Sequence, residues 1–193
     1  MGFFWAMFTG EYAMGLGVSL FFELLWLDLF PAGTYIPPNG QAPTLACLAG
    51  LHHFDLTQPS VAVLAMILAL PLGRIFAKME GYHRQYENVA FNNLLLWARE
   101  PSSAPSPSSM VTRSILLMVS INFVAFSLAL LCMLVLLYLA LPHALGYLRA
   151  IPTNWSHLWM VASLGAVLSL RHRPAYALLL AGVILAMLAR MFI

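Results

Sequence analysis

The sequence predicts an all-α fold: a polytopic integral membrane helical bundle, one domain over 1–193, with a broken or re-entrant helical segment near 31–51. Three observations predict it. The 193 residues are 62% hydrophobic and only 8% charged, with mean hydropathy +0.85, whereas a soluble domain carries roughly 25% charged residues. Apolar runs long enough to cross a bilayer, which takes roughly 20 residues, recur along the chain. The stretch Gly15 to Asn39, GLGVSLFFELLWLDLFPAGTYIPPN, sets an acid, Glu23, in an apolar segment and then breaks it with Pro31, Gly33 and Pro37-Pro38. An acid in hydrocarbon is expensive unless it serves something. Helix breakers at membrane depth free backbone groups that persist only where they line a cavity. Together they describe a ligand-binding segment of a transporter.

Phe3 to about Phe30 is apolar apart from Glu11, Glu23 and Asp28. It reads either as one long span or as a short start, broken near Gly10-Glu11, followed by a span. Gln41 to Leu51 is too short to cross a bilayer and precedes the polar run His52-His53-Phe54-Asp55, so a half-helix or re-entrant hairpin is expected. Pro59 to Ala77 reads as a span kinked near its end by Pro71 and Gly73. Between 78 and 100 an amphipathic helix is expected, because Met79, Tyr82, Tyr86, Ala90, Leu94 and Trp97 recur at three- and four-residue spacing. Glu80 and Arg84 can pair on its other face. Residues 101–112, opening with PSSAPSPSS, read as a flexible polar linker. Ile115 to Leu141 is the longest clean apolar run. Trp155 to Leu170 and Ala175 to Phe192 form a final pair joined by Arg171-His172-Arg173-Pro174.

Basic residues orient this arrangement. Arg74, Lys78, Arg84, Arg99 and Arg113 fall between the spans ending near Ala77 and starting near Ile115, and Arg171 and Arg173 lie in the next loop but one. The positive-inside rule puts both loops in the cytoplasm and the 142–154 loop outside. A net charge of +2, scattered along the chain, gives no footprint for nucleic acid. The N-terminus lacks a positive n-region and a cleavage site, so it does not read as a signal peptide. Cys47 and Cys132 read as two buried small hydrophobes.

Among polar residues, Glu23 is the first candidate for ligand binding, followed by Asp28, Asn39 and Gln41. A carboxylate with neutral amides suits a polyol's hydroxyls better than a metal ion. His52-His53 with Asp55 has no evident fourth ligand, and adjacent histidines on a helix diverge, so a polar loop is expected and no metal site. Gly17-Val18-Ser19-Leu20 formally matches the G-x-S-x of an intramembrane serine protease. Gly and Ser in an apolar helix more often serve packing, and His143, His157 and His172 lie at span ends or in loops.

At Gly15 to Asn39 the chain resembles membrane subunit IIC of the mannose/fructose/sorbose family of bacterial phosphoenolpyruvate-dependent sugar phosphotransferase systems. The resemblance is carried by Phe22-Glu23-Leu24-Leu25-Trp26-Leu27, Pro31-Ala32-Gly33 and Ile36-Pro37-Pro38-Asn39. It extends more loosely through Pro71-Leu72-Gly73-Arg74 and Glu80 to Trp97, and matches mainly in hydropathy thereafter. Asp28 stands where the family usually has a small residue. Family members also usually carry a further hydrophobic segment before the region matching 1–10, so the resemblance implies a naturally short or late-starting chain.

The resemblance implies a multi-pass permease of the bacterial inner membrane that binds a hexose-like sugar. It would work with a IID-like membrane subunit and soluble IIA and IIB phosphocarriers, in a homo- or hetero-oligomer. Such a subunit is neither an enzyme nor the phosphoryl carrier, and needs no cofactor. A degenerate regulatory or assembly subunit is the alternative, with a protease using Ser19 behind it.

Overall fold

The computed structural model describes residues 1–27, 29, 35–99, 107–169 and 176–182. All regular structure among them is helical. In chain order the helices are α1 (Gly2–Thr9), α2 (Tyr12–Leu25), α3 (Gln41–His53), α4 (Pro59–Arg99), α5 (Pro107–Ala150) and α6 (Trp155–Ser169), and a further helical stretch covers 176–182.

The N-terminal segment takes the broken form. Gly10 closes α1 at φ 78°, a left-handed conformation that glycine adopts without steric cost, and its N–H bonds back to the Ala6 carbonyl at 2.8 Å. The chain then reverses, and α1 packs on α2 through small residues. A Cβ on Gly2 would fall 2.0 Å from the Gly15 carbonyl and 2.2 Å from Ser19 Oγ. At 8 and 14 residues, the two helices are each shorter than a bilayer crossing.

The short helix α3 begins and ends on identifiable signals. Asn39 Oδ1 accepts from the backbone N–H of Gln41 at 2.9 Å and of Ala42 at 3.2 Å, the bonding of an N-cap. Pro43 sits in the first turn, where no intrahelical N–H is required. At the other end Asp55 adopts φ 51°, while the N–H of Leu56 reaches the Leu51 carbonyl at 2.9 Å and that of Asp55 the His52 carbonyl at 3.3 Å. This is a Schellman ending, with Leu51 and Leu56 as its buried apolar contact. The run expected as a polar loop is therefore the last helical turn and its cap. α3 then lies antiparallel on α4, which is the half-helix expected after Pro37-Pro38.

The long helices run past the boundaries expected for them. α4 runs unbroken for 41 residues through Pro71 and Gly73, and α5 for 44 residues through Pro142, about 60 and 65 Å at 1.5 Å per residue. The separate 78–100 helix is thus the continuation of α4. The linker expected over 101–112 has become helical by Pro107, where proline's fixed φ favours a helix start. The loop expected over 142–154 is helical to Ala150. Each proline removes one backbone bond, and both helices continue past it. The stripe expected on 79–97 also divides. Tyr82 and Tyr86 are 69% and 51% exposed, and α4 instead turns Glu87 toward α5, where it accepts from the Ser114 hydroxyl. Residues 101–106 and 171–175, including the Arg171–Pro174 turn, and the end of the last expected span lie outside the described residues.

The core sits where α3 meets the first half of α4 and the second half of α5, with α2 packed on α3 and α6 on α2. Phe22, Leu48, Leu51, Met66 and Leu137 are fully buried there. Among the described side chains, none from 77 to 98 or from 108 to 132 is fully buried. α4 and α5 are long and apolar enough to cross a membrane, and only 11% of the most apolar stretch of α5 is buried within the chain. Cys47 is buried as expected; Cys132 is exposed on α5.

Candidate functional site

α2 and α6 run parallel, fixed at one end by the Trp155 ring over Gly17, where a Cβ would come within 2.4 Å, and by Trp159 Nε1 donating to the Gly17 carbonyl at 3.0 Å. This brings the far end of α2, carrying Phe22, Glu23 and Trp26, toward the start of α3. Trp26 stacks on Phe22 (ring centroids 5.5 Å apart, 24° between planes) and lies against Gly40 and Gly73. The Asn39 N–H donates to the Gly73 carbonyl at 2.9 Å, pinning the segment that leads into α3 against α4.

Between these walls lies a cleft of about 520 Å³ lined by Phe22, Glu23, Trp26, Pro37, Pro38, Asn39, Gln41, Glu80 and Arg84, among others. The structure therefore brings together Glu23, Asn39 and Gln41 from the two sides of the broken segment. Asp28 lies outside the described residues, as do Pro31 and Gly33. Glu23 is exposed toward the cleft rather than buried, because α2 ends two residues beyond it. Its carboxylate makes no hydrogen bond or ion pair among the described residues. The Asn39 carbonyl oxygen is committed to capping α3, so what it offers the cleft is its amide donor.

Three lining residues were not singled out from sequence. Trp26 follows Glu23 by three positions and so shares its helix face, a signal that was available. Glu80 and Arg84, expected only as a surface pair, do pair, with Arg84 Nε 3.1 Å from Glu80 Oε1. That they face Glu23 was not legible, since Gly73, Glu80 and Arg84 become one stripe only if α4 continues past Ala77. An exposed pair of this kind contributes about 0.3–0.5 kcal/mol, so Arg84 is held loosely.

Elsewhere, Ser19 Oγ donates to the Gly15 carbonyl at 2.8 Å and sits in the α1–α2 packing contact. Gly15, Gly17 and Ser19 are thus accounted for by close helix approach. His83 Nε2 lies 3.6 Å from Glu87 Oε1. Among the described residues no group of three or more His, Cys, Asp or Glu side chains is placed to hold a metal ion. No protein-family model, curated protein or solved structure matches the chain.

Proposed function

We propose that this chain is a sugar-translocating membrane subunit of a phosphotransferase system, the IIC component, binding a hexose-like sugar in the cleft between α2, α3 and α4. One observation carries the reading: Glu23 and the amides of Asn39 and Gln41, separated in sequence by the broken segment, line one polar cleft floored by an aromatic ring. Carboxylate acceptors, amide donors and an indole face are the groups that match a polyol's hydroxyls and its apolar ring face. The exposed apolar surface of α5 suits hydrocarbon, and the chain then crosses the bacterial inner membrane several times. The cleft end of the bundle carries Arg74, Lys78 and Arg84, so the positive-inside rule turns it to the cytoplasm. There a soluble IIB phosphocarrier, itself supplied by IIA, would meet the sugar, with a IID-like subunit alongside in the membrane.

The test is sugar uptake and binding by the complex reconstituted with its IID-like partner. Glu23→Gln keeps the shape and replaces a charge-assisted bond with a neutral one, a loss of about 1–2 kcal/mol and roughly ten-fold in affinity. Unchanged affinity with less assembled complex would make Glu23 structural. Full assembly with no uptake by the wild-type complex would leave an assembly or regulatory subunit.

A further inference from the structure

At the end of α2 and α3 away from the cleft, three side chains from three elements meet. His52 Nδ1, on the last turn of α3, lies 3.1 Å from Oε1 of Glu11, which precedes α2. The edge-on ring of Trp5 on α1 stands 5.9 Å from the His52 ring, centroid to centroid. The other carboxylate oxygen, Glu11 Oε2, and the Trp5 indole N–H are buried and have no hydrogen-bond partner. Among the described residues these are the only two buried side-chain polar atoms left without one. Desolvated polar groups are normally matched, so two in one place mark a cluster whose electrostatic demand is unmet.

The two demands differ in sign: the Trp5 N–H lacks an acceptor, whereas Glu11 Oε2 lacks a donor. On the carboxylate side, Glu11 brings a negative charge, and one of its oxygens receives no donor. The other titratable or charged groups toward this end of the packed elements are Tyr12 on α2, His53 and Asp55 at the end of α3, Tyr138, His143, Tyr147 and Arg149 on α5, and His157 on α6. Further along the same elements stand the Met1 amine at the start of α1, Glu23 on α2, Cys47 on α3, and Arg113 and Cys132 on α5, while the first turns of α4 carry none. Among the described residues, none of these forms an ion pair with Glu11. One added positive charge beside the carboxylate would therefore stabilise the cluster. His52 can supply it, since imidazole is the side chain that ordinarily changes charge between pH 5 and 8, and its side chain is 50% exposed to solvent.

We propose that Glu11 and His52, with Trp5, form a proton-operated clasp between the α1–α2 turn and the end of α3. A proton from solvent adds to the free ring nitrogen, Nε2, while Nδ1–H stays on Glu11 Oε1. A hydrogen bond from a neutral ring thereby becomes an ion pair. The stabilisation is present when His52 is protonated and is lost as pH rises and the ring gives the proton up. Because α2 and α3 carry the cleft's walls at their other ends, the clasp sets how firmly those two helices are held together. The inference does not depend on which ligand the cleft takes.

The test compares the full chain, purified in lipid nanodiscs, with its Glu11→Gln and His52→Gln variants at pH 6 and pH 8. Hydrogen exchange, corrected for the intrinsic pH dependence of the rate, should show residues 8–15 and 50–56 several-fold better protected at pH 6 in the wild type. Melting should rise by about 2–4 °C over the same interval. Both differences should vanish in either variant, while exchange in the Leu137 region of α5 stays unchanged. If wild type and variants show the same pH response in these two segments, the clasp is refuted. Should Glu11→Gln fail to fold, His52→Gln, which keeps a neutral polar group on the more exposed partner, supports or refutes the clasp on the same two readouts.

Discussion

Adding one methyl group at Gly73 should distort the molecule through a single ring. A Cβ built there falls 2.6 Å from Trp26 Cη2, 2.9 Å from Trp26 Cζ2 and 3.3 Å from the Asn39 carbonyl oxygen. The nearest atoms belong to a rigid indole already stacked on Phe22, with Gly40 close to its other edge, so the ring cannot swing away freely. Overpacking of this kind costs about 1–3 kcal/mol. Against it stands helix propensity, since Ala inside a helix is better than Gly by about 1 kcal/mol. The steric term prevails, and Gly73→Ala should be destabilising by up to about 2 kcal/mol. For a chain of this length each 1 kcal/mol lowers Tm by about 2–4 °C. The sign should reverse once the ring is gone: in a Trp26→Leu background, Gly73→Ala should be neutral or stabilising by up to about 1 kcal/mol. Thermal unfolding of the four proteins in a double-mutant cycle gives the coupling directly, expected at about 1–3 kcal/mol. Effects that add to within about 0.5 kcal/mol would mean that Trp26 does not pack on Gly73, and the floor of the cleft would have to be redrawn.

Asn39→Ala should cost about 1 kcal/mol of stability through the lost cap, whereas Asn39→Asp, which keeps the capping oxygen and removes the amide donor, should retain stability and lose ligand affinity. Thermal melts and binding of the same two variants separate these roles. For orientation, single cysteines at Asn88 and Thr153, with Cys132 replaced by Ser, should react with impermeant thiol reagents from the cytoplasmic and external sides respectively, and the reverse pattern would overturn the assigned topology. Ser19→Ala removes a hydroxyl bonded to its own helix and should change stability by less than about 1 kcal/mol while leaving uptake intact; loss of a peptidase activity in that variant would instead revive the protease reading.

The sequence by itself determined what composition and local chemistry control. With 8% charged residues the chain had to be built of apolar helices, and Gly10, Pro37-Pro38 and Asn39 are local signals that act wherever the rest of the chain lies. The break before Glu11 and the short α3 were therefore open to reading, although α3 runs two residues further than expected, to His53. So was the approach of Glu23 to Asn39 and Gln41, because a short broken segment leaves its flanking helix ends close together.

Only the tertiary structure decided the rest. Pro71 reads locally as a kink and Pro142 as the start of a loop, yet α4 and α5 stay helical through both, each giving up one backbone bond. The stripe on 79–97 was ambiguous because several faces of that helix carry apolar residues. The face that met α5 was the one presenting Glu87 to Ser114, a pairing 27 positions apart in sequence. The same continuity of α4 carried Glu80 and Arg84 onto the cleft. Likewise Glu11 and His52, 41 positions apart, have no local relation. They meet because α2 and α3 pack side by side, and such packing is fixed by the shapes of side chains across a contact rather than by the order of residues along the chain.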